Sequence, residues 1–424
     1  MERISDAVQG YSIRFGGSAE DMKKRLNISY GAIQATYWMV FGAILSFASV
    51  FLLGKNYTNS EIGVILAASS VLAVVLQPLL ADAADKSRRA SLIDFTGVIS
   101  IGLLAGTALL LLFPAKSFLL SVLFVLLGAW FHSLQPLINS MAFYLSGSGH
   151  RVNFGIARSV GSVAYALLCA VLGSLVERFG IGAIPAAGVA ILLLLLLSLF
   201  ATDRLYKSAV PAIPGDSDSG KAGLASEPID LRTFIKRNRM FLVFSAGIVL
   251  IFFQNAVLNF YLMQIIINMG GTSSQMGRLF SFMALLELPG LFFFSRLRKT
   301  FSCQFMLKVS SIAFVLKILL TYMAPSVGFL YLAFLFQLIS FPIFLSASVH
   351  LVDEVMEKGE AVKGQSFVTG MITLSIVFAS LFGGIILDCS GAKLLLLIST
   401  ALCIIGSLVV IFSVGAIGSA QEKR

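Results

Sequence analysis

Charged residues are scarce in this 424-residue sequence: Asp, Glu, Lys and Arg make up 12% of it, where an ordinary soluble domain carries roughly 25%. That scarcity argues against a conventional water-soluble fold, because 58% of the residues are hydrophobic and no soluble core of this length needs so much apolar surface. Cysteine is sparse too. Cys169, Cys303, Cys389 and Cys403 fall mostly inside apolar runs, without paired spacing, a Cys-x-x-Cys motif or a His-rich neighbourhood. They are read as packing residues, with no disulfide framework and no metal centre. No Gly-rich phosphate loop with a following Lys and Ser or Thr is present, so nothing suggests an ATP-driven pump. A nucleophile elbow, a His-Glu-x-x-His helix and a pair of catalytic carboxylates are missing as well, and the expectation is a protein that is no enzyme and uses no cofactor. The amino-terminal stretch is polar and lacks the apolar run and small-residue site of a cleaved signal peptide, which leaves that terminus in the cytoplasm.

What the sequence does have is a repeated apolar run long enough to cross a bilayer, which takes about 20 residues of helix. Such runs fall at 29–53, 60–81, 91–113, 117–145, 154–176 and 181–202, and again at 240–268, 273–295, 303–323, 327–352, 364–387 and 391–415. The fold class expected is therefore an all-α membrane protein of twelve transmembrane helices in two six-helix bundles, 29–202 and 240–415. A segment of 1–28 precedes them and a tail of 416–424 follows, both cytoplasmic. Between the halves, 203–239 has the Pro-Gly-Asp-Ser-Asp-Ser-Gly composition of a flexible linker.

The net charge of +10 raises the question of a nucleic-acid partner, and its distribution answers it. Lys and Arg gather in alternate connections, around Lys23 to Arg25, Lys86 to Arg89, Arg204 to Arg239 and Arg296 to Lys299. Only Lys55, Lys116, Arg178, Arg278 and Lys393 fall on the opposite side. This is the positive-inside pattern and no basic groove; it places both termini in the cytoplasm and makes the lipid bilayer the main partner. Basic loops after the second and eighth helices echo each other, which suggests a duplicated six-helix unit with a shared site at mid-membrane depth.

Ionised side chains inside spans cost at least a few kcal/mol unless they face protein or water. Arg158 on helix five, Glu287 on helix eight and Lys317 on helix nine are therefore functional candidates; an ion pair that merely locks the halves together is the other reading. Helix four carries His132, Gln135 and Asn139 at spacings that put them on one face. Helix seven offers Gln254, Asn255 and Asn259, and helix ten Gln337. Such amides are either solute contacts or interhelical glue worth about 0.6 kcal/mol each, and His132 is either a source of pH dependence or a hydrogen-bonding neighbour.

The stretch from Glu61 to Ala68, running on to Gln77-Pro78 and Asp85-Lys86, resembles the second helix and following loop of the major facilitator superfamily, and more narrowly of the oligosaccharide and proton symporters typified by lactose permease. Asn153-Phe154-Gly155-Ile156-Ala157-Arg158 with Tyr165 resembles that family's helix five. The resemblance implies that Arg158 grips solute hydroxyls, that Tyr165 stacks on the solute ring and that Lys317 belongs to a coupling network. It also implies that Asp85, Lys86, Arg88 and Arg89 form a cytoplasmic latch. Lys363-Gly364-Gln365 resembles the related motif opening helix eleven. Asn139, Gln337 and Ser340 stand near positions where the family has a sugar-binding carboxylate, a histidine and a proton-carrying glutamate, which argues against lactose itself. Glu287 is the carboxylate left deep in the membrane.

The expectation drawn from all this is a monomeric secondary transporter of the cell membrane, plasma or inner. It moves a small polar solute, a sugar or glycoside, by alternating access with protons as the coupling ion. Arg158, Tyr165, His132, Gln135, Asn139, Gln254, Asn255, Asn259 and Gln337 hold the solute, and Glu287, Lys317 and Arg158 carry the coupling. A nucleoside or other metabolite carrier, an uncoupled facilitator and an exporter are alternatives of the same fold. A solute-sensing membrane protein is a different class, disfavoured because no large output domain is present.

Overall fold

The computed structural model describes residues 19–86, 91–147, 152–209, 238–356 and 360–421. The segment before residue 19, most of the 203–239 linker, Arg88, Arg89 and the side chain of Asp85 lie outside the described residues.

Where each helix begins follows from side chains that satisfy the orphan N–H groups of a first turn. Ser91 caps α3 (Leu92–Leu109) in a reciprocal box with Asp94. Ser117 caps α4 (Phe118–Ser146), Asn153 caps α5 (Phe154–Phe179) and Ser302 caps α9 (Cys303–Met323). Thr272 opens α8 (Ser273–Thr300) in a second box, with Gln275. The remaining spans are α1 (Glu20–Gly54), α2 (Asn59–Lys86), α6 (Ala183–Ala209), α7 (Arg239–Phe260) and α10 (Val327–Val355). The last helix, Ala361–Gln421, breaks at Gly391, whose φ of 78° and ψ of 179° suit only glycine, and so forms α11 (361–390) and α12 (392–421). Among the described residues eleven helices are long and apolar enough to span a bilayer, and the break at Gly391 turns the last of them into two.

Several helices outrun the apolar stretches that announce them. The helix of α1 starts at Ala19 and α6 runs on to Ala209, because a helix need not stop at the hydrocarbon boundary. Three spans are irregular inside. A π-helical turn interrupts α1 at Gly42–Ser46, α7 breaks at Tyr261 before a short continuation, Leu262–Asn268, and α10 tightens to a 3-10 turn at Leu335–Leu338. After the last, α10 resumes at Phe341 with Pro342 in the new first turn, where a missing N–H costs least.

Helices α1–α6 pack among themselves, as do α7–α12, and the two sets meet through α5 against α8 and α2 against α11, with α1 touching α7. Among the described residues every hydrogen bond between the sets lies at the end where α2 and α8 begin and α5 and α11 finish. This is the far end, opposite the one where α6 stops and α7 starts. At the linker end exposed side chains flank α2, α5 and α8 instead.

Candidate functional site

Helix α1 presents Tyr30, Gln34, Tyr37, Trp38 and Phe41 at intervals of three or four along one side, so these rings and the amide share a face. Gln34 ties the stripe together: its Nε2 donates to the Tyr30 hydroxyl at 2.8 Å and to Asn139 Oδ1 at 3.4 Å, and its Oε1 accepts from Trp38 Nε1 at 3.2 Å. The Arg158 guanidinium lies over the Trp38 ring, Cζ 3.7 Å from the ring centroid. That approach depends on Gly161, where a Cβ would stand 2.6 Å from Trp38 Cδ1. Arg158 also donates from Nη1 to Ser162 at 2.7 Å. A guanidinium has five N–H donors, so the π face and one hydroxyl hold it while most of its fork stays free. A ladder of rings continues from Trp38 to Phe41 and on to Tyr165, whose hydroxyl meets Ser46 at 3.0 Å in the π turn of α1. Such turns inside helices gather at functional sites because they re-aim side chains.

The facing half is held differently. Lys317, fully buried on α9, donates to Gln337 Oε1 at 2.9 Å and to Asn255 Oδ1 at 3.3 Å. Gln337 stands in the 3-10 turn of α10 and passes the contact on, its Nε2 donating to Glu287 Oε1 at 2.7 Å. The amide bridges cation and anion with its oxygen toward the lysine and its nitrogen toward the carboxylate, the polarity that favours both charges. Glu287 is half-buried on α8, two residues before Pro289. It lies within electrostatic reach of Arg158 and of Tyr165 across the bundle interface without an ion pair to the arginine. A polar chain therefore runs from Asn139 through Gln34, Trp38 and Arg158, and from Glu287 through Gln337 and Lys317 to Asn255. It is interrupted once, between the bundles.

Of the residues anticipated from sequence, Arg158, Tyr165, Asn139, Glu287, Gln337, Lys317 and Asn255 belong to this chain or border it. Asn259, one turn beyond Asn255 on the same α7 face, is half-buried. His132 and Gln135 are half-buried on α4; the His132 carbonyl accepts from Gln77 at 3.1 Å and its ring meets the edge of Phe131. Gln254 is completely buried with neither amide atom partnered. It shares the α7 face of Gly247, which packs against Gly406 of α12, because neighbours in a helix diverge by about 100°. Lys86 pairs one turn back with Asp82 at 2.8 Å. Trp38 and Gln34, which organise the α1 side, were not among the anticipated residues. Their signal was the aromatic and amide stripe on an otherwise apolar first helix.

No group in this arrangement is posed as nucleophile or general base against a reacting atom. Two helical bundles, each carrying an ionised side chain toward their contact, are the architecture of a polytopic membrane transporter. The chain belongs to the MFS_1-like family of the major facilitator superfamily, whose model matches residues 30–398. Its fold is similar to that of the nucleoside transporter NupG, with a TM-score of 0.72 and 14% identity, covering 92% of this chain and 98% of that one. It is similar to a bacterial homolog of the human lysosomal transporter Spinster in an inward-facing and unoccupied conformation, with a TM-score of 0.67, 14% identity and 95% and 99% of the two chains covered. The POT family transporter PepTSo gives a TM-score of 0.67 at 10% identity, covering 94% and 98%. Identities this low establish the fold alone. No curated protein matches the sequence.

Proposed function

We propose that this chain is a proton-coupled symporter of a sugar or glycoside, working by alternating access in the cell membrane with both termini in the cytoplasm. The observation that carries the reading is the single interruption in the polar chain, flanked by the free fork of Arg158 on one bundle and by the Glu287 carboxylate on the other. A neutral solute with several hydroxyls fits that gap: its oxygens accept from Arg158 and its hydroxyls donate to Glu287, while Trp38 and Tyr165 offer flat apolar faces. Amides at Gln135, Asn139 and Asn259 add donors and acceptors without adding charge. With the far end sealed and the positive-inside rule applied, the conformer is open toward the cytoplasm.

Glu287 is the proton carrier in this reading, since it alone among the described acids sits between both cations of the site. The ladder Trp38–Phe41–Tyr165 favours a nucleoside as the second reading, because a base presents a larger flat face than a pyranose does. Thermal-shift screening of purified protein against sugars, glycosides and nucleosides separates the two, followed by flux under an imposed pH gradient with any hit. Glu287→Gln then abolishes uphill accumulation and leaves counterflow exchange intact; uphill transport at the wild-type rate removes the carboxylate from the coupling role and leaves a facilitator or exporter.

A further inference from the structure

The seal at the far end is one device built twice. Where α8 begins, Thr272-Ser-Ser-Gln275-Met-Gly277 forms a reciprocal cap in which Thr272 and Gln275 satisfy each other's backbone N–H. Where α2 begins, Thr58-Asn-Ser-Glu61-Ile-Gly63 does the same with Thr58 and Glu61. The opposing helices repeat as well. On α5, Cys169, Gly173, Glu177 and Gly180 stand in the register that Ser380, Gly384, Asp388 and Gly391 occupy on α11, and both terminal glycines adopt nearly identical angles, φ of 79° and 78° with ψ of 179°.

The contacts match one for one. A Cβ at Gly173 would collide with the Ser273 carbonyl, and one at Gly384 with that of Asn59; a Cβ at Gly277 would meet the Cys169 carbonyl, and one at Gly63 that of Ser380. Backbone thus lies against backbone at both crossings. Each crossing is then closed by a carboxylate from the other bundle. Glu177 Oε1 accepts from the Ser274 N–H at 2.8 Å, and Asp388 accepts from the Ser60 N–H at 2.7 Å and the Asn59 N–H at 3.1 Å.

An acid near the carboxyl end of its own helix stands against that helix's dipole, whereas at the amino end of another it is stabilised. Glu177 and Asp388 are therefore misplaced within α5 and α11 and well placed only across the interface. We infer that these two carboxylates are a duplicated latch that holds the far end shut, and that opening the site to that side requires both to let go of the opposing helix. The inference rests on the alternating-access part of the proposed function and needs none of its solute chemistry.

Spin labels at Gly182→Cys and Lys393→Cys, in a Cys389→Ser background whose other cysteines are buried, report the far-end separation. Ala83→Cys with Lys299→Cys reports the linker end. Asp388→Asn and Glu177→Gln are each expected to raise the long-distance population of the far-end pair about fivefold, as the loss of a helix cap does, and their combination about twenty-five-fold. The linker-end pair shortens in step. A far-end distance that spreads while the linker-end pair stays fixed indicates local fraying and overturns the latch. If wild type shows two far-end distances whose ratio the variants leave unchanged, the latch fails and alternating access stands. One unvarying distance in every protein ends both.

Discussion

Lys317 and Arg158 both sit inside the apolar body of this protein, and their surroundings could hardly differ more. Lys317 is fully buried, with amide oxygens of Asn255 and Gln337 on its ammonium and a carboxylate one amide further on. Arg158 lies half-exposed, resting on an indole face with one bond to Ser162. Both escape the cost of a charge in hydrocarbon, but the lysine does so by spending its donors inside its own bundle, and the arginine by leaning on a surface that uses almost none. On the proposed reading the difference divides the roles: the spent cation holds the architecture and the polarity of Glu287, and the unspent one is left to meet a solute.

The sharpest way to break the comparison is to remove the lysine. Lys317→Met leaves two buried amide oxygens and a carboxylate without their cation, a situation that costs about 3–5 kcal/mol when one partner of a buried pair is deleted. Unfolding in mild detergent reads that loss directly. The double variant Lys317→Met with Glu287→Gln removes both charges and recovers a large part of it; strictly additive losses mean that Gln337 transmits nothing between the two. Arg158→Lys has the opposite profile. The charge and most of the packing persist while the fork is lost, so melting moves little, and affinity for a solute identified by screening drops roughly ten- to a hundredfold, the worth of one or two hydrogen bonds to a charged donor. A large fall in stability with unchanged affinity would reverse the two roles.

The sequence made the fold plain because hydrocarbon is an intolerant solvent: the spans and the three embedded charges follow from what lipid forbids. The Gly391 break between α11 and α12 falls where the apolar run pauses. Half of the candidate site was equally open to reading. Arg158, Glu287 and Lys317 declare themselves by being ionised, but Trp38 and Gln34 do not, since an aromatic stripe on a helix looks like ordinary core until a cation is found against it. Adjacent amides mislead for a related reason. Gln254 and Asn255 read alike in a string, yet a 100° turn separates them, and only Asn255 reaches Lys317. The repeated Thr-x-Ser-Glu/Gln-x-Gly at residues 58–63 and 272–277 was legible throughout, although its partner carboxylates lie more than 90 residues away in the chain and only folding pairs them.

The gentlest test concerns the surface under the arginine. Trp38→Phe keeps a ring beneath the guanidinium and gives up the Nε1 bond to Gln34, a loss of about 1 kcal/mol in stability with little change in solute affinity. Trp38→Leu keeps the bulk and gives up the face, which at a partly desolvated site is worth about 0.5–2 kcal/mol to the cation, so affinity falls up to roughly thirtyfold as Arg158 loses its fixed heading. The pair separates two explanations that the structure alone presents together. If Phe and Leu weaken binding equally, Gln34 and its hydrogen bonds orient the site; if only Leu does, the indole works as a platform, and the polar side of α1 serves to keep that platform level.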